Sequence, residues 1–512
     1  MSTETTCLRG MSDMLPKASE SNATQCLPPG IPFRPTPPAK RKPGRPRNKP
    51  VPEPVTASAF LLSIKHLLPE LPQWLKQVKD PRKRLDACTY SIEEIIMLAL
   101  VMLCCQCGSR RQLDRDSSRE QFLLNFRMLL GDDEAAVTCA DNMNRVLSMV
   151  APSELHKLAV RCTKALNRRK VLRKFKCDGM VVIAVDGTQM LKFNERHCKH
   201  CLTRTLSNGE TQYYHYVLAA KVVTPIGLVL PAAFEFVENP TGKFDKQDCE
   251  TKAFRRLAPR MNRLLKGFQI LLVGDGLYAN EPVMKICERF GWSYMATLKD
   301  ASLPTLQEQV ARAKQNRPVV DGSGRPRLKA TCGEVQEEDP DTKLTRTVRW
   351  ITPLRYHGRI VHWIEMEERG PDGVGYHNVW VTDVKPNQAN AMALAKAGRL
   401  RWKIENEGIN TQKTGGYEME HGYGVKRHAW KNYYLLMQIA QLLNDMYRLG
   451  DLPAKLTEDV RSTFATIYGT LRNFAKRLME SLRNDLIRPD AGPDPGSIQI
   501  RFPDPPFALA LD

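Results

Sequence analysis

Two short apolar runs, each stopping at an aspartate, constrain this chain more than any other feature. Met180-Val-Val-Ile-Ala-Val-Asp186 and Gln269-Ile-Leu-Leu-Val-Gly-Asp275 are too continuously apolar for strands with one wet face. Both therefore belong inside a sheet covered on its two sides. A carboxylate at the end of such a run leaves the covered interior at the carboxyl end of the strand, where sites in α/β sheets gather. If the two strands lie side by side, Asp186 and Asp275 meet.

The flanking pattern supplies the rest of a sheet. Residues 213–223 and 228–237 read as strands joined through Pro225 and Gly227 in hairpin fashion. A charged helix follows at about 246–265, a second helix at 281–290 and a fifth strand at 292–298. Three strands, a helix, a strand, a helix and a strand make an α/β fold, a mixed sheet with helices on its faces. Residues 300–385 interrupt it with a helix near 303–313 and β-like runs at 345–352, 359–367 and 376–384. This is a β-rich insertion whose Trp350, Trp363 and Trp380 read as sheet-core aromatics.

The α/β pattern resumes with a helix over 399–413. In it Arg401 and Glu405, four apart, share a face, and Trp402, Ile404 and Ile409 supply anchors. Alone, that segment reads as an amphipathic helix with a surface ion pair; the two aspartates upstream give Glu405 a use. Glu407 is its rival. The apolar helix at 433–447 reads as core packing.

Upstream, 56–176 is helical in pattern. Ser91 and Glu94 form a capping box before the apolar run 95–105, and further helices are expected at 119–130, 140–150 and 154–167. The segment ends on Arg168, Arg169, Lys170, Arg173, Lys174 and Lys176, as a helical DNA-binding domain would, since phosphate contacts supply most nonspecific affinity. A solvated charged helix is the other reading of that run. Residues 1–55 are rich in Pro, Ser and Thr and predict a disordered tail. Within it Lys42, Arg45 and Arg47 surround Gly44 and Pro46, a backbone thin enough for the minor groove of A·T-rich DNA. This resembles an AT-hook.

The whole chain carries a formal charge of +20, and only seven of its cations fall between Arg34 and Lys49, so the folded part is basic too. Nucleic acid is the natural partner of such a field. A polar N-terminus without an apolar leader and fourteen cysteines fit a reducing compartment, cytoplasmic and nucleoid-associated. The apolar run 95–105 is about half the ~20 residues a membrane span needs, so no membrane partner is expected.

Two aspartates and a later glutamate suit a pair of divalent cations, which need hard oxygen ligands and sit roughly 3.5–4 Å apart in two-metal sites. At this point the chain resembles the DDE transposases of bacterial insertion sequences, and most closely the insertion-sequence-four group. The likeness is carried by Val185-Asp186-Gly187-Thr188, Gly274-Asp275-Gly276-Leu277-Tyr278-Ala279 and Arg401-Trp402-Lys403-Ile404-Glu405-Asn406. The spacings, 275 − 186 = 89 and 405 − 275 = 130, place the insertion between the second Asp and the Glu.

The resemblance implies a ribonuclease H-like catalytic domain at 177–299 and 386–450, split by the insertion at 300–385. A helical DNA-binding domain (56–176) precedes it, and a helical segment with a disordered tail (451–512) follows. It further implies Mg²⁺, with Mn²⁺ as a substitute, held by Asp186, Asp275 and Glu405, and Arg401 holding phosphate or orienting Glu405. Double-stranded DNA, as element ends and target, would be cleaved and joined by a homodimer. The family's helix motif carries a Tyr where this chain has Gly398 and a Lys where it has Gln412, with Lys413 one step beyond. A metal-dependent nuclease without strand transfer, or a transposase-derived DNA binder without turnover, are the alternatives.

A second cluster is separate. His197-Cys198-Lys-His200-Cys201, with His215 and Cys249 downstream, offers thiolates and imidazoles at spacings that suit tetrahedral Zn²⁺, and Cys198, Cys201, His215 and Cys249 are the expected ligands. Free thiols in a loop and a strand are the other reading.

Overall fold

The run 95–105 lies almost wholly within helix Ile92–Cys104, which is buried nearly all round. Its first turn is closed by the expected capping box, Ser91 N–H donating to Glu94 Oε2 at 2.6 Å and Glu94 N–H to Ser91 Oγ at 3.3 Å. A helix apolar on every side needs neighbours on every side. The main one is helix Ala429–Leu449, which also packs on helix Pro152–Arg168 and on the sheet.

The computed structural model describes residues 51–239, 248–299, 302–315, 319–320, 326–340, 342–373, 375–487, 499–506 and 509. Lys42, Arg45 and Arg47 of the AT-hook-like segment lie outside them. From Val51 onward the chain forms one unit, so the helical segment at 56–176 shares a core with the sheet. The expected helices are present as Glu120–Leu130, Ala140–Leu147 and Pro152–Arg168.

The strands are β1 (Val181–Phe193), β2 (Leu202–Thr205), β3 (Thr211–Val223), β4 (Val229–Val237), β5 (Ile270–Gly274), β6 (Ser293–Thr297), β7 (Val319–Val320), β8 (Pro326–Leu328), β9 (Thr331–Glu338), β10 (Thr345–Tyr356), β11 (Arg359–Arg369) and β12 (Gly375–Thr382). One sheet runs β2-β3-β1-β5-β6-β12-β11-β10-β9, with β4 also on β3. β1, β3 and β4 are antiparallel neighbours, and β5 and β6 run parallel to β1. The insertion therefore does not form a separate layer. β12 pairs with β6, Trp380 opposite Thr297, and carries β11, β10 and β9 onto the same sheet. Trp350, Trp363 and Trp380 are all buried, as core aromatics.

Helix Ala391–Arg399 crosses this extension. A Cβ on Gly398 would lie 2.8 Å from Trp380 Cε2 and 2.9 Å from Met295 Sδ, which accounts for glycine at this position of the motif. Gly398→Ala is expected to destabilise the fold: overpacking costs about 1–3 kcal/mol, more than the ~1 kcal/mol gained in helix propensity. Chemical denaturation measures the difference, and an unchanged midpoint would mean that Trp380 and Met295 yield freely.

Two expectations are corrected. Helix Ala429–Leu449 is not purely apolar packing, because it buries a row of polar groups that need partners. Asn432 donates to the carbonyls of Leu147 and Val150, Asn444 to that of Cys104, and Asp445 pairs with Arg448 at 2.8 Å. The far C-terminal residues are also not all free: Arg501 N–H donates to Asp451 Oδ1 at 2.8 Å, Lys174 Nζ reaches the Phe502 carbonyl at 2.7 Å, and Phe502 is buried.

Candidate active site

β1 is buried from Val181 to Val185 and then carries Asp186 into a half-buried position. It does not end there. The strand continues to Phe193 along β3, with Asp186 opposite Ala219, whereas its parallel pairing with β5 stops at Ala184 opposite Val273. Asp186 thus sits where β1 loses one neighbour, a correction to its expected place at a strand end. Asp275 does follow the last residue of β5, Gly274. Each aspartate lies two residues beyond the couple Ala184–Val273, so the register sets the two carboxylates on adjacent chains.

The turn after β5 is locally determined. Asp275 Oδ1 accepts from Leu277 N–H at 2.9 Å, and Tyr278 N–H donates to the Asp275 carbonyl at 3.0 Å. The ring of Tyr278 folds back over Gly274, where a Cβ would come within 2.7 Å of Tyr278 Cβ. This close approach needs glycine. It buries Tyr278 and aims its hydroxyl at Glu250.

Glu250 is the acidic residue of this site that sequence reasoning missed. It opens helix Glu250–Leu264 and accepts hydrogen bonds from Tyr216 Oη (3.0 Å) and Tyr278 Oη (2.8 Å). A Cβ on Gly187 would lie 2.6 Å from Glu250 Oε2, which puts that carboxylate beside the residue following Asp186. Burial raises the Glu250 carboxyl, the two tyrosines oppose the rise, and the Asp275 charge adds to it. Tyr278 belongs to the motif around Asp275, but nothing in the sequence ties residue 250 to residues 216 and 278.

Glu405 comes from a distorted helix. The expected helix over 399–413 is broken into Ala391–Arg399, a short turn at Arg401–Lys403, a π-helix at Ile404–Asn410 and a last turn at Thr411–Thr414. π-turns widen the backbone and recur at functional sites. Ile404 and Ile409 are buried anchors, but Trp402 is 44% exposed, with the Arg401 guanidinium 4.4 Å from its ring centroid. Burial pushes the Asp186 carboxyl up to about 6. The Gly187 N–H opposes this, Glu250 adds to it, Arg401 opposes it, and Glu405 adds to it. These charges therefore share one locality. The rival Glu407 is tied to Lys403 Nζ at 2.5 Å and runs along Gly227 in the β3–β4 turn.

The remaining motif positions are accounted for. Gln412 is buried in an amide cluster, donating to Gln438 Oε1 at 2.8 Å and Gln441 Oε1 at 2.6 Å, so it faces the core and not a ligand. Lys413 pairs with Glu420 at 3.5 Å. Arg168 and Arg169 are exposed, Arg169 within 3.7 Å of Glu70. Under the π-turn lies Lys221 of β3, 2% exposed, whose Nζ would be 3.5 Å from a Cβ on Gly408. Burial pulls its ammonium down to about 7, against the pull of Asp445.

The cysteine and histidine cluster assembles with one exchange. His197, Cys198, Cys201 and His215 hold their ligand atoms within 4.8 Å of one another, the only such group among the described residues. Cys249 is exposed, at the N-cap of helix Glu250–Leu264, and is not part of it. The acidic groups are spread more widely. Among the described residues Asp186, Asp275, Glu250 and Glu405 make no ion pair, and Arg401 is the cation whose charge acts on Asp186.

No protein-family model and no curated protein matches this chain. Among solved structures it is similar to one described as the cryo-EM structure of piggyBac transposase synaptic complex with hairpin DNA. The sequence identity is 10%, the TM-score is 0.40, and the match covers 84% of this chain and 80% of that one.

Proposed function

We propose that this chain is a DNA transposase of the insertion-sequence-four type, cleaving and joining strands with Asp186, Asp275 and Glu405, and with Glu250 alongside. The observation that carries the reading is the β1–β5 register, which puts Asp186 and Asp275 on adjacent chains, with Glu250 beside Gly187 and the charges of Glu405 and Arg401 acting on Asp186. The donor set fits divalent magnesium or manganese: it is all oxygen, carries excess negative charge, and has one member, Asp186, already pushed toward protonation by burial and its acidic neighbours. Cations held there would supply nucleophile activation and leaving-group stabilisation for phosphodiester chemistry.

The chain's own residues do the positioning. Tyr216 and Tyr278 fix Glu250, the β1–β5 register fixes the aspartates, the π-turn carries Glu405, and the short turn before it carries Arg401. Arg401, its guanidinium over the Trp402 ring, would orient Glu405 or meet a phosphate oxygen. The antiparallel β1-β3-β4 set, continued by parallel β5 and β6, supports a ribonuclease H-like description of the sheet. The net charge of +20 supports double-stranded DNA as partner, with a homodimer on the element ends and a nucleoid location completing the proposal.

The test is an assay on duplex DNA bearing the inverted repeats that flank the coding region, read for nicked and for joined products. Asp275→Ala and Glu405→Ala are each expected to lower cleavage by at least about a thousandfold, matching the several kcal/mol contributed by a polarising cation. DNA binding by mobility shift should be nearly unchanged. Glu250→Gln is expected to lie between these variants and the unaltered protein. Full cleavage by Asp275→Ala would sink the assignment, and nicks without joined products would make the chain a nuclease.

A further inference from the structure

We propose that His197, Cys198, Cys201 and His215 form a structural zinc site that ties the segment after β1 to β3, beside helix Ala429–Leu449. It lies outside the acidic cluster and does not depend on the transposase assignment.

The geometry is that of a closed tetrahedral site. A zinc ion with Zn–S of about 2.3 Å and Zn–N of about 2.0–2.1 Å keeps its ligand atoms roughly 3.3–3.8 Å apart. Cys198 Sγ and Cys201 Sγ are 3.6 Å apart, and His215 Nε2 is 3.7 Å from the first and 3.8 Å from the second. A disulfide needs its sulfurs at about 2.05 Å, and it has no use for two imidazoles at the same point. The fourth group, His197, precedes Cys198 directly and brings its ring nitrogen within 4.8 Å of the other ligand atoms.

Both imidazoles are held by aromatic neighbours. The ring of His197 stacks on Phe193, the last residue of β1, with centroids 4.6 Å apart and planes 15° from parallel. The ring of His215 stacks on Trp430, in the first turn of helix Ala429–Leu449, at 4.2 Å and 21°. His215 Nδ1 is buried with no hydrogen-bond partner among the described residues, so Nε2, facing both sulfurs, is the nitrogen with a role. Two thiolates and two neutral imidazoles neutralise one Zn²⁺, and the two thiol protons leave to solvent.

The position says what the ion would hold. Between Gln189 and Lys192 the register of β1 against β3 shifts, and His215 lies on β3 directly opposite that irregularity, between Tyr214 and Tyr216. An ion bridging the segment after β1 to β3 pins the β1–β3 pair where its own ladder is broken. Tyr216, next to His215, is the residue whose hydroxyl donates to Glu250, so the same clamp fixes one side of the acidic cluster.

The experiment is metal analysis of the full chain purified without added metal, with cobalt exchange as the spectroscopic readout. The expected result is about one zinc per chain, two protons released per ion on reconstitution, and the d–d absorption of tetrahedral cobalt with thiolate ligands. Cys201→Ser and His215→Ala should abolish retention and lower Tm by several degrees, while Cys249→Ser should keep the ion and the melting curve. Because buried substitutions can impair folding, His197→Ala, at an exposed position, is the decisive variant. It should fold, and a chelator should strip it at least about tenfold more readily. The proposal is overturned if the reconstituted chain holds no stoichiometric zinc, if Cys198 and Cys201 are recovered as a disulfide, or if Cys249→Ser loses the ion while His197→Ala retains it.

Discussion

Asp186→Asn is expected to abolish DNA cleavage and at the same time to raise the thermal stability of the metal-free protein at pH 7. The Asp186 carboxyl is pushed up from 3.8 to about 6, burial being the largest cause and the Glu250 and Glu405 charges adding to it. A carboxyl whose folded pKa lies above its unfolded value is a liability once ionised. No penalty exists below about pH 4, it grows between about 4 and 6, and it is complete above 6. A shift of this size corresponds to roughly 2–3 kcal/mol, which an uncharged amide of the same shape would not incur.

Melting curves in chelator at pH 4 and pH 7 test this. The variant should gain at pH 7 and show no gain at pH 4, and adding Mg²⁺ or Mn²⁺ should stabilise the unaltered protein far more than the variant. Equal melting temperatures at pH 7 would mean that Asp186 is better solvated than its burial implies. A site that destabilises its own fold is what a cation-dependent centre produces when its ligands are assembled before the ion arrives.

Lys221→Met should have the second large effect. Lys221 lies beneath the π-turn that carries Glu405, and burial pulls its ammonium from 10.5 down to about 7, with Asp445 opposing. The sign is opposite to that of a paired lysine. The folded state prefers the neutral amine, so the penalty is complete below pH 7, shrinks as the pH rises from 7 to about 10.5, and is absent above that. Methionine, of similar length and with no charge to bury, should stabilise the fold by a few kcal/mol at pH 7. Denaturation at pH 7 and pH 10 should show a gain that shrinks at the higher pH. A loss at pH 7 would mean that the ammonium contributes more by neutralising Asp445, itself fully buried beside Arg448, than it costs to bury.

The sequence alone determined the features that depend on neighbours along the chain. The runs before Asp186 and Asp275 had to be covered strands, the Ser91–Glu94 box had to open a helix, and the insertion had to be β-rich, because periodicity and capping are local. The resemblance to the family's helix motif favours Glu405 over Glu407 by its spacing from Arg401, a choice that the cleavage assay on Glu405→Ala tests; in the fold, Glu407 is tied to Lys403.

Tertiary structure alone decided whatever depends on residues far apart in sequence. Asp186 lies mid-strand because β3 keeps pairing after β5 has stopped. Glu250 enters the acidic cluster through hydroxyls 34 and 28 residues away, Tyr216 and Tyr278. His197 takes the place expected of Cys249 because the chain after β1 folds back onto β3, bringing His215 to Cys198 and Cys201, while Cys249 is carried off at the start of a helix. The π-turn obeys the same logic: residues 404–410 read as ordinary helix, and only the packed structure shows the widened turn lying over Lys221 and Gly227. Periodicity reports which face of an element is buried, but the partner on that face is set by the closing of the sheet and the helices around it.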